Sequence, residues 1–190
     1  MQRVADLNDF MKQKYVFFFL LLVNATLFAQ SYTPVDASST IKFSIKNFGS
    51  AVFGTFKGLQ GNISFNPKNL GSAFINISVE AQSVNTNNGT RDNHLKKEDY
   101  FNVAVYPTIN IASKKISYTN KDGQFFFEGY VTIKGVTKPI SFPFAATFKD
   151  NDYLFIGQLQ LNRKDFKVGG SSWVLADLVT INLSIIGKKG

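Results

Sequence analysis

The chain has 190 residues, a formal charge of +8 and 44% hydrophobic residues, with one histidine, no cysteine and 20 phenylalanines. That length suits one domain with a sizeable core, while the missing cysteines exclude disulfide staples, thiolate metal sites and lipoprotein acylation. The basic excess points to nucleic acid, an anionic membrane surface or a phosphate head group, but the lysines are scattered, which argues against nucleic acid.

The first residues read as a targeting segment. Met11 offers a second start, MKQK, followed by the apolar run Tyr15–Leu22 and the softer tail VNATLFAQS. A basic n-region, a short apolar core and the small residue Ala29 make a secretory signal peptide over residues 1–30. A membrane-spanning helix needs roughly 20 apolar residues, and Asn24 interrupts this run early. An interfacial anchor kept in the mature protein is the alternative. Removing residues 1–30 takes away three basic and two acidic side chains and leaves a charge of +7. The folded domain is then expected at 31–190, with no stable membrane anchor. A periplasmic or secreted location follows, and it counts further against nucleic acid as a partner.

From Ser31 onward, apolar residues recur with period two, the primary signal of half-buried strands. Ile41, Phe43 and Ile45 make the first run, then Ile63 and Phe65, then Ala73 through Ala81. Ile109 with Ile111, and Ile116 with Tyr118, follow a long polar interruption. The remaining runs are Phe125–Ile133, Ile140–Phe148, Tyr153–Leu161 and Val179–Ile185. Turn signals separate them at Asn66-Pro67, Asp122-Gly123, Lys134-Gly135 and Asp150-Asn151-Asp152. Eight or more short strands with tight connections predict an all-β antiparallel barrel or sandwich. Fifteen phenylalanines after residue 30, and apolar residues such as Phe126, Tyr130, Leu154 and Ile156 opposite each run's main face, favour a barrel whose interior is either filled or ligand-bearing. An exposed edge or an apolar outer face would also suit a homodimer, though the sequence does not locate one.

The interruption, Thr86–Pro107, carries the only histidine, His94. Loops of this length tend to be functional or disordered. Thr90 to Glu98 has helical composition, and 3.6 residues per turn puts Arg91 on one face with His94 and Leu95, with Asp92 about a third of a turn away. A cation beside an imidazole is a workable receptor for an anion or hydroxyl; a capped, charged surface helix is the alternative. A second cluster, Arg163, Asp165 and Phe166, follows the Tyr153–Leu161 run. Spaced by two, Arg163 and Asp165 are expected to share a strand face and to pair with each other or with the polar insert. Gly135 to Pro139 has what a hairpin turn demands.

Catalytic patterns are sparse. One histidine leaves the usual zinc sites without ligands, nothing resembles a nucleophile elbow, and the apolar strand faces carry almost no paired acids. Neither a metal nor a cofactor is expected. A lipid-modifying enzyme using His94 as acid or base, and a filled barrel acting through its surface in stress protection, stay open as other readings.

The segments FSIKNFGSAVFGTFKGLQGNISFNP, SVNT…RDNHLKKEDYFNVAVYPTINIAS, GYVTIKGVTKPISFP, LNRKDF and DLVTINLSI, in this order, resemble the YceI-like family over nearly all of Tyr32 to Ile186. The resemblance implies an eight-stranded, lipocalin-like antiparallel barrel partly closed by a helical insert. It further implies a secreted or periplasmic protein that binds polyisoprenoids or other long amphiphilic lipids, without catalytic activity. On this basis Arg91, Asp92, His94, Arg163 and Asp165 are the expected polar contacts of the ligand. Tyr100, Phe101, Tyr106 and Pro107 form the aromatic closure. The apolar chain is expected against Phe101, Phe125, Phe127, Phe142 and Phe144. One departure stands out: Asn47 occupies a position where many members carry a histidine.

Overall fold

The structure is a computed structural model that describes residues 30–190, so the expected signal peptide lies, apart from Gln30, outside the described residues. Among the described residues, nine strands and one α-helix follow in chain order: β1 (Ser31–Pro34), β2 (Thr40–Asn47), β3 (Ser50–Ser64), β4 (Phe74–Asn85), α1 (Gly89–Leu95), β5 (Thr108–Tyr118), β6 (Gln124–Ile133), β7 (Val136–Lys149), β8 (Asp152–Asn162) and β9 (Leu175–Lys189). All pairings between them are antiparallel. The sheet runs β3-β2-β9-β8-β7-β6-β5-β4 and returns to β3, so it closes on itself. Closure leaves no open sheet edge to attract another chain.

Nine strands make an eight-position barrel because β1 and β2 share one position. Both pair with β3 on one side and β9 on the other, β1 at Ser31↔Ser64 and Tyr32↔Lys189, β2 at Asn47↔Ser50 and Asn47↔Leu175. A single 3-10 turn at Asp36–Ser38 separates them. Asp36 Oδ1 accepts the Leu59 amide at 2.8 Å and holds that turn to β3.

Two of the register shifts in the sheet switch a strand's faces. In β3 the pairing with β4 shifts between Lys57 and Gln60. Inward positions therefore change from Val52 and Phe56 to Leu59 and Ile63, even numbers to odd, because an extra residue moves all later side chains to the other face. In β5 the shift falls between Ser113 and Lys115. It joins the Ile109–Ile111 and Ile116–Tyr118 runs, expected as two, into one strand.

Tight turns close each end. Lys134 and Gly135 have φ of 49° and 72°, and Asp150 and Asn151 have φ of 53° and 69°, as two-residue hairpins with the right-handed strand twist require. Gly135 also meets a close approach. A Cβ there would lie 2.6 Å from the Tyr106 ring, so the insert rests directly on the β6–β7 turn.

Along its axis the barrel has two unlike halves. At the end holding β1 and the β5–β6 and β7–β8 turns, aromatic rings fill the interior. Phe65, fully buried, meets Phe125, Tyr153 and Phe155 edge-on with centroids 4.9, 5.2 and 5.3 Å away. Phe127 stacks on Phe142 at 4.9 Å. Edge-to-face and offset contacts of this kind add to the roughly 1.5–3 kcal/mol that each buried ring contributes. The other end is open.

Candidate functional site

The open end is bounded by four connections: the β2–β3 hairpin, the insert between β4 and β5, the β6–β7 turn, and the segment 163–174 between β8 and β9. Between them lies a cavity of about 1000 Å³ that runs down into the barrel, at the upper end of the usual size of ligand sites. Its walls are β-branched and aliphatic: Ile41 and Ile45 from β2, Val79 from β4, Ile109 and Ile111 from β5, Val131 and Ile133 from β6, Val179 and Ile181 from β9. Phe43, Phe56, Tyr100 and Phe101 add rings. The Phe43 ring lies over Gly54, directly opposite it on β3, where any larger side chain would collide with the ring. Polar lining residues, among them Asn47, Thr86, Asn88, Arg91, Asn93, His94 and Ser172, sit toward the connections.

The insert is built around Thr86, which is 5% exposed. Its amide and hydroxyl both donate to Asp92 Oδ1, at 2.8 and 2.6 Å. Arg91 Nε donates to the Thr86 hydroxyl at 2.7 Å, and Arg91 Nη2 donates to the Thr86 carbonyl at 2.9 Å. Asn88 caps α1 by accepting the Arg91 amide. The helix stops at Leu95, earlier than the Thr90–Glu98 span expected from composition. Tight turns follow instead, with the amides of Lys97 and Phe101 donating to the carbonyls of His94 and Leu95. These turns send Tyr100 and Phe101 back over the cavity. Phe101 meets Phe56 edge-on at 5.5 Å and so ties the insert to the barrel wall.

Arg163 belongs to a different kind of structure. Residues Arg163–Phe166 wind into a 3-10 turn capped by Asn162, so Arg163 and Asp165 do not share a strand face and do not pair. Arg163 is 5% exposed. Its guanidinium donates to the carbonyls of Ala176, Val168, Gly170 and Leu175 and to Asp177 Oδ1, at 2.9 to 3.4 Å. The planar fork thus gathers the whole 163–177 segment. It borders the cavity with its donors already engaged. The Gly169 amide donates to the Asp99 carbonyl at 2.7 Å and joins this segment to the insert.

The other expected contacts are distributed as follows. Arg91, His94 and Phe101 line the cavity together, as their helical spacing and order in the insert imply. His94 is half-exposed, 3.7 Å from Asp99 and edge-on to Tyr100 at 4.8 Å. Asp92 faces away from the cavity into its cap on Thr86, and Asp165 is exposed on the 3-10 turn. Phe125, Phe127, Phe142 and Phe144 stand in the filled half; the last three border only a void of about 30 Å³. Among the described residues, no group of three or more His, Asp or Glu side chains is placed to hold a metal ion. Ile41, Ile45, Val131, Val179 and Ile181 were not singled out from the sequence as site residues. Alternation marked their faces, but nothing in it marked their height along the barrel.

A closed antiparallel barrel filled at one end and hollow at the other, with a helical insert over the opening, defines a lipocalin-like barrel. Residues 32–186 match the family profile of the YceI-like domain, and the chain belongs to that family. A relative in Photorhabdus laumondii subsp. laumondii is 33% identical over 125 residues, 63% of this chain and 64% of that protein. Protein YceI of Escherichia coli O157:H7 is 36% identical over 103 residues, 53% of this chain and 52% of that one. The matches therefore span between half and two thirds of these relatives' length. Among solved structures, the YceI protein of Campylobacter jejuni superposes with a TM-score of 0.67 at 28% identity, covering 74% of this chain and 87% of its own. A polyisoprenoid binding domain of Saccharophagus degradans superposes with a TM-score of 0.71, covering 85% and 99%. At 14% identity that likeness establishes the shared fold alone.

Proposed function

We propose that the protein binds a polyisoprenoid or another long-chain amphiphilic lipid in the open half of its barrel, and that it acts as a periplasmic carrier or sequestering protein rather than an enzyme. The cavity carries this reading: about 1000 Å³, walled by Ile, Val, Leu and Phe, with much of its polar lining at the insert. Burying a methylene contributes about 0.8 kcal/mol, so an apolar chain of moderate length binds here without polar help. The description of the Saccharophagus domain as polyisoprenoid binding agrees with an apolar chain as occupant.

The head group belongs at the insert. Arg91 spends Nε and Nη2 on Thr86, which fixes the plane of the guanidinium while Nη1 stays available to a phosphate or hydroxyl. His94 stands on the same helix face. In this arrangement Arg163 and Asp92 position loops, and Phe101 and Phe56 press on the chain.

Mass spectrometry of an organic extract of the purified protein tests the reading. Long-chain lipid recovered at near-equimolar ratio is the expected result. An extract free of lipid, together with failure of the protein to take up an added polyprenol or fatty acyl probe, overturns it. Turnover of an added lipid, abolished by His94→Ala with retention unchanged, would replace the carrier by an enzyme.

A further inference from the structure

We propose that the open rim docks onto a lipid bilayer, with Phe48 and Trp173 entering the interfacial layer. The inference rests on the lipid-binding reading above and adds the surface through which the lipid arrives.

Trp173 is completely exposed and Phe48 is 76% exposed. Phe48 heads the β2–β3 turn with φ of 50°, a left-handed conformation in which a bulky residue is a genuine outlier and Asn, Asp or Gly fits with less strain. Neither packing nor backbone preference accounts for a phenylalanine there. Two of the exposed rings at the filled end are different: Tyr118 leans on Phe125 and Phe148 on Tyr153. Among the described residues, Phe48 and Trp173 have no such aromatic partner.

The two rings ride on one ledge. The Phe48 amide donates to the Val174 carbonyl at 2.9 Å, which ties the hairpin to the 163–174 segment. Phe53, Val174 and Leu178 are exposed beside it. Phe48 and Val174 also line the cavity, so the ledge runs without interruption into the apolar interior. A long-chain lipid leaving a membrane along this path would not cross water.

The chemistry fits a bilayer better than a protein surface. Trp and Phe on adjacent loop tips are the residues that settle at the boundary between head groups and acyl chains. Lys46 is exposed next to the hairpin tip and Lys167 on the neighbouring segment, in a chain of formal charge +8. Cations in these places favour anionic head groups.

Trp173 is the only tryptophan of the chain, so its emission reports this ledge and no other segment. On addition of phosphatidylcholine vesicles containing phosphatidylglycerol, the emission is expected to shift to the blue and to be quenched by brominated acyl chains. A soluble acyl probe added without vesicles should leave it unchanged. Phe48→Asn, which suits the turn better, is expected to fold at least as stably yet to partition about tenfold less onto vesicles in flotation. Trp173→Ser should lose flotation while retaining uptake of the soluble probe. Unchanged emission with vesicles, from protein that does carry lipid, overturns the docking proposal alone. A shift produced by concentrating the protein without vesicles also overturns it and assigns the ledge to a second copy of the chain. Docking by a protein that takes up no lipid would instead refute the binding reading and leave the docking surface standing.

Discussion

The two halves of the barrel use the same eight strand positions, yet one is solid and the other hollow. The difference lies in where each strand carries its rings. β6 passes from Phe125 and Phe127 at the filled end to Val131 and Ile133 at the open end. Antiparallel to it, β7 passes from Val136 and Ile140 to Phe142 and Phe144, and β8 from Tyr153 and Phe155 to Leu159 and Leu161. On these three strands rings therefore gather at one height, around Phe65, and aliphatic side chains at the other. In this barrel the phenylalanine layer fills the interior, whereas the valine and isoleucine layer leaves it open. Stability and ligand space are thus separated along the axis, within one continuous sheet.

Removing the ring at the centre of the filled half should produce the largest effect. Phe65→Ala is expected to cost about 3–5 kcal/mol in denaturant unfolding, through lost burial and the cavity left behind. Phe56→Ala, whose ring faces the open half, should cost clearly less and should weaken lipid retention. Equal costs for the two would mean that the open half is packed in solution and would break the distinction.

A single strand offers the next test, with the sign reversed. Ile181 and Ile185 both point inward from β9, the first into the large cavity and the second beside the small void. Ile185→Trp overpacks and should cost about 1–3 kcal/mol. Ile181→Trp should fit into existing space with little loss of stability, while cutting uptake of a lipid probe at least tenfold. Unimpaired uptake in Ile181→Trp would place the ligand elsewhere.

The two arginines at the open end sharpen the comparison further. Arg163→Ala strands several carbonyls of the 163–177 segment, and a buried acceptor left without a partner costs about 1–3 kcal/mol. Lysine cannot replace the fork and should not rescue it. Arg91→Gln removes donors from the Thr86 hydroxyl and carbonyl; with fewer acceptors stranded than at Arg163 it should cost less, about 1 kcal/mol, and should alter which head groups are retained. A large stability loss at Arg91, with head-group preference intact, would reduce the insert to a clasp.

Much of this was legible in the chain and some of it was not, for physical reasons. Period two marked the runs that became β2 and β4 to β9, and the polar insert announced itself by interrupting them. The first part of β3 was hard to read because the bulge at Lys57–Leu59 reverses its parity and glycines dilute its pattern. The role of Arg163 left no trace, since four of the five groups it holds are backbone carbonyls, which every residue has. Alternation gives the face of a residue but not its height. Phe125, Phe127, Phe142 and Phe144 could be read as inward-facing, whereas their place beneath the cavity follows only from the antiparallel register.

Alkaline titration makes the smallest of these tests, and it addresses the filled half alone. Burial raises the phenol pKa of Tyr153 and, together with the charges of Tyr153 and Asp152, that of Tyr32 above the usual value of 10.0. The two rings meet edge-on at 5.2 Å near the β1 end. A phenol whose pKa is raised on folding keeps its proton in the native state at a pH where the unfolded chain has lost it. Stability from this source is therefore complete below pH 10 and declines as the pH rises toward the folded value. Unfolding midpoints should fall above pH 10, and Tyr153→Phe should flatten that fall. Lipid retention should persist until the barrel itself unfolds, because the titrating pair lies at the end away from the cavity. Release of lipid ahead of unfolding, in step with phenolate formation, would show that the two halves are coupled.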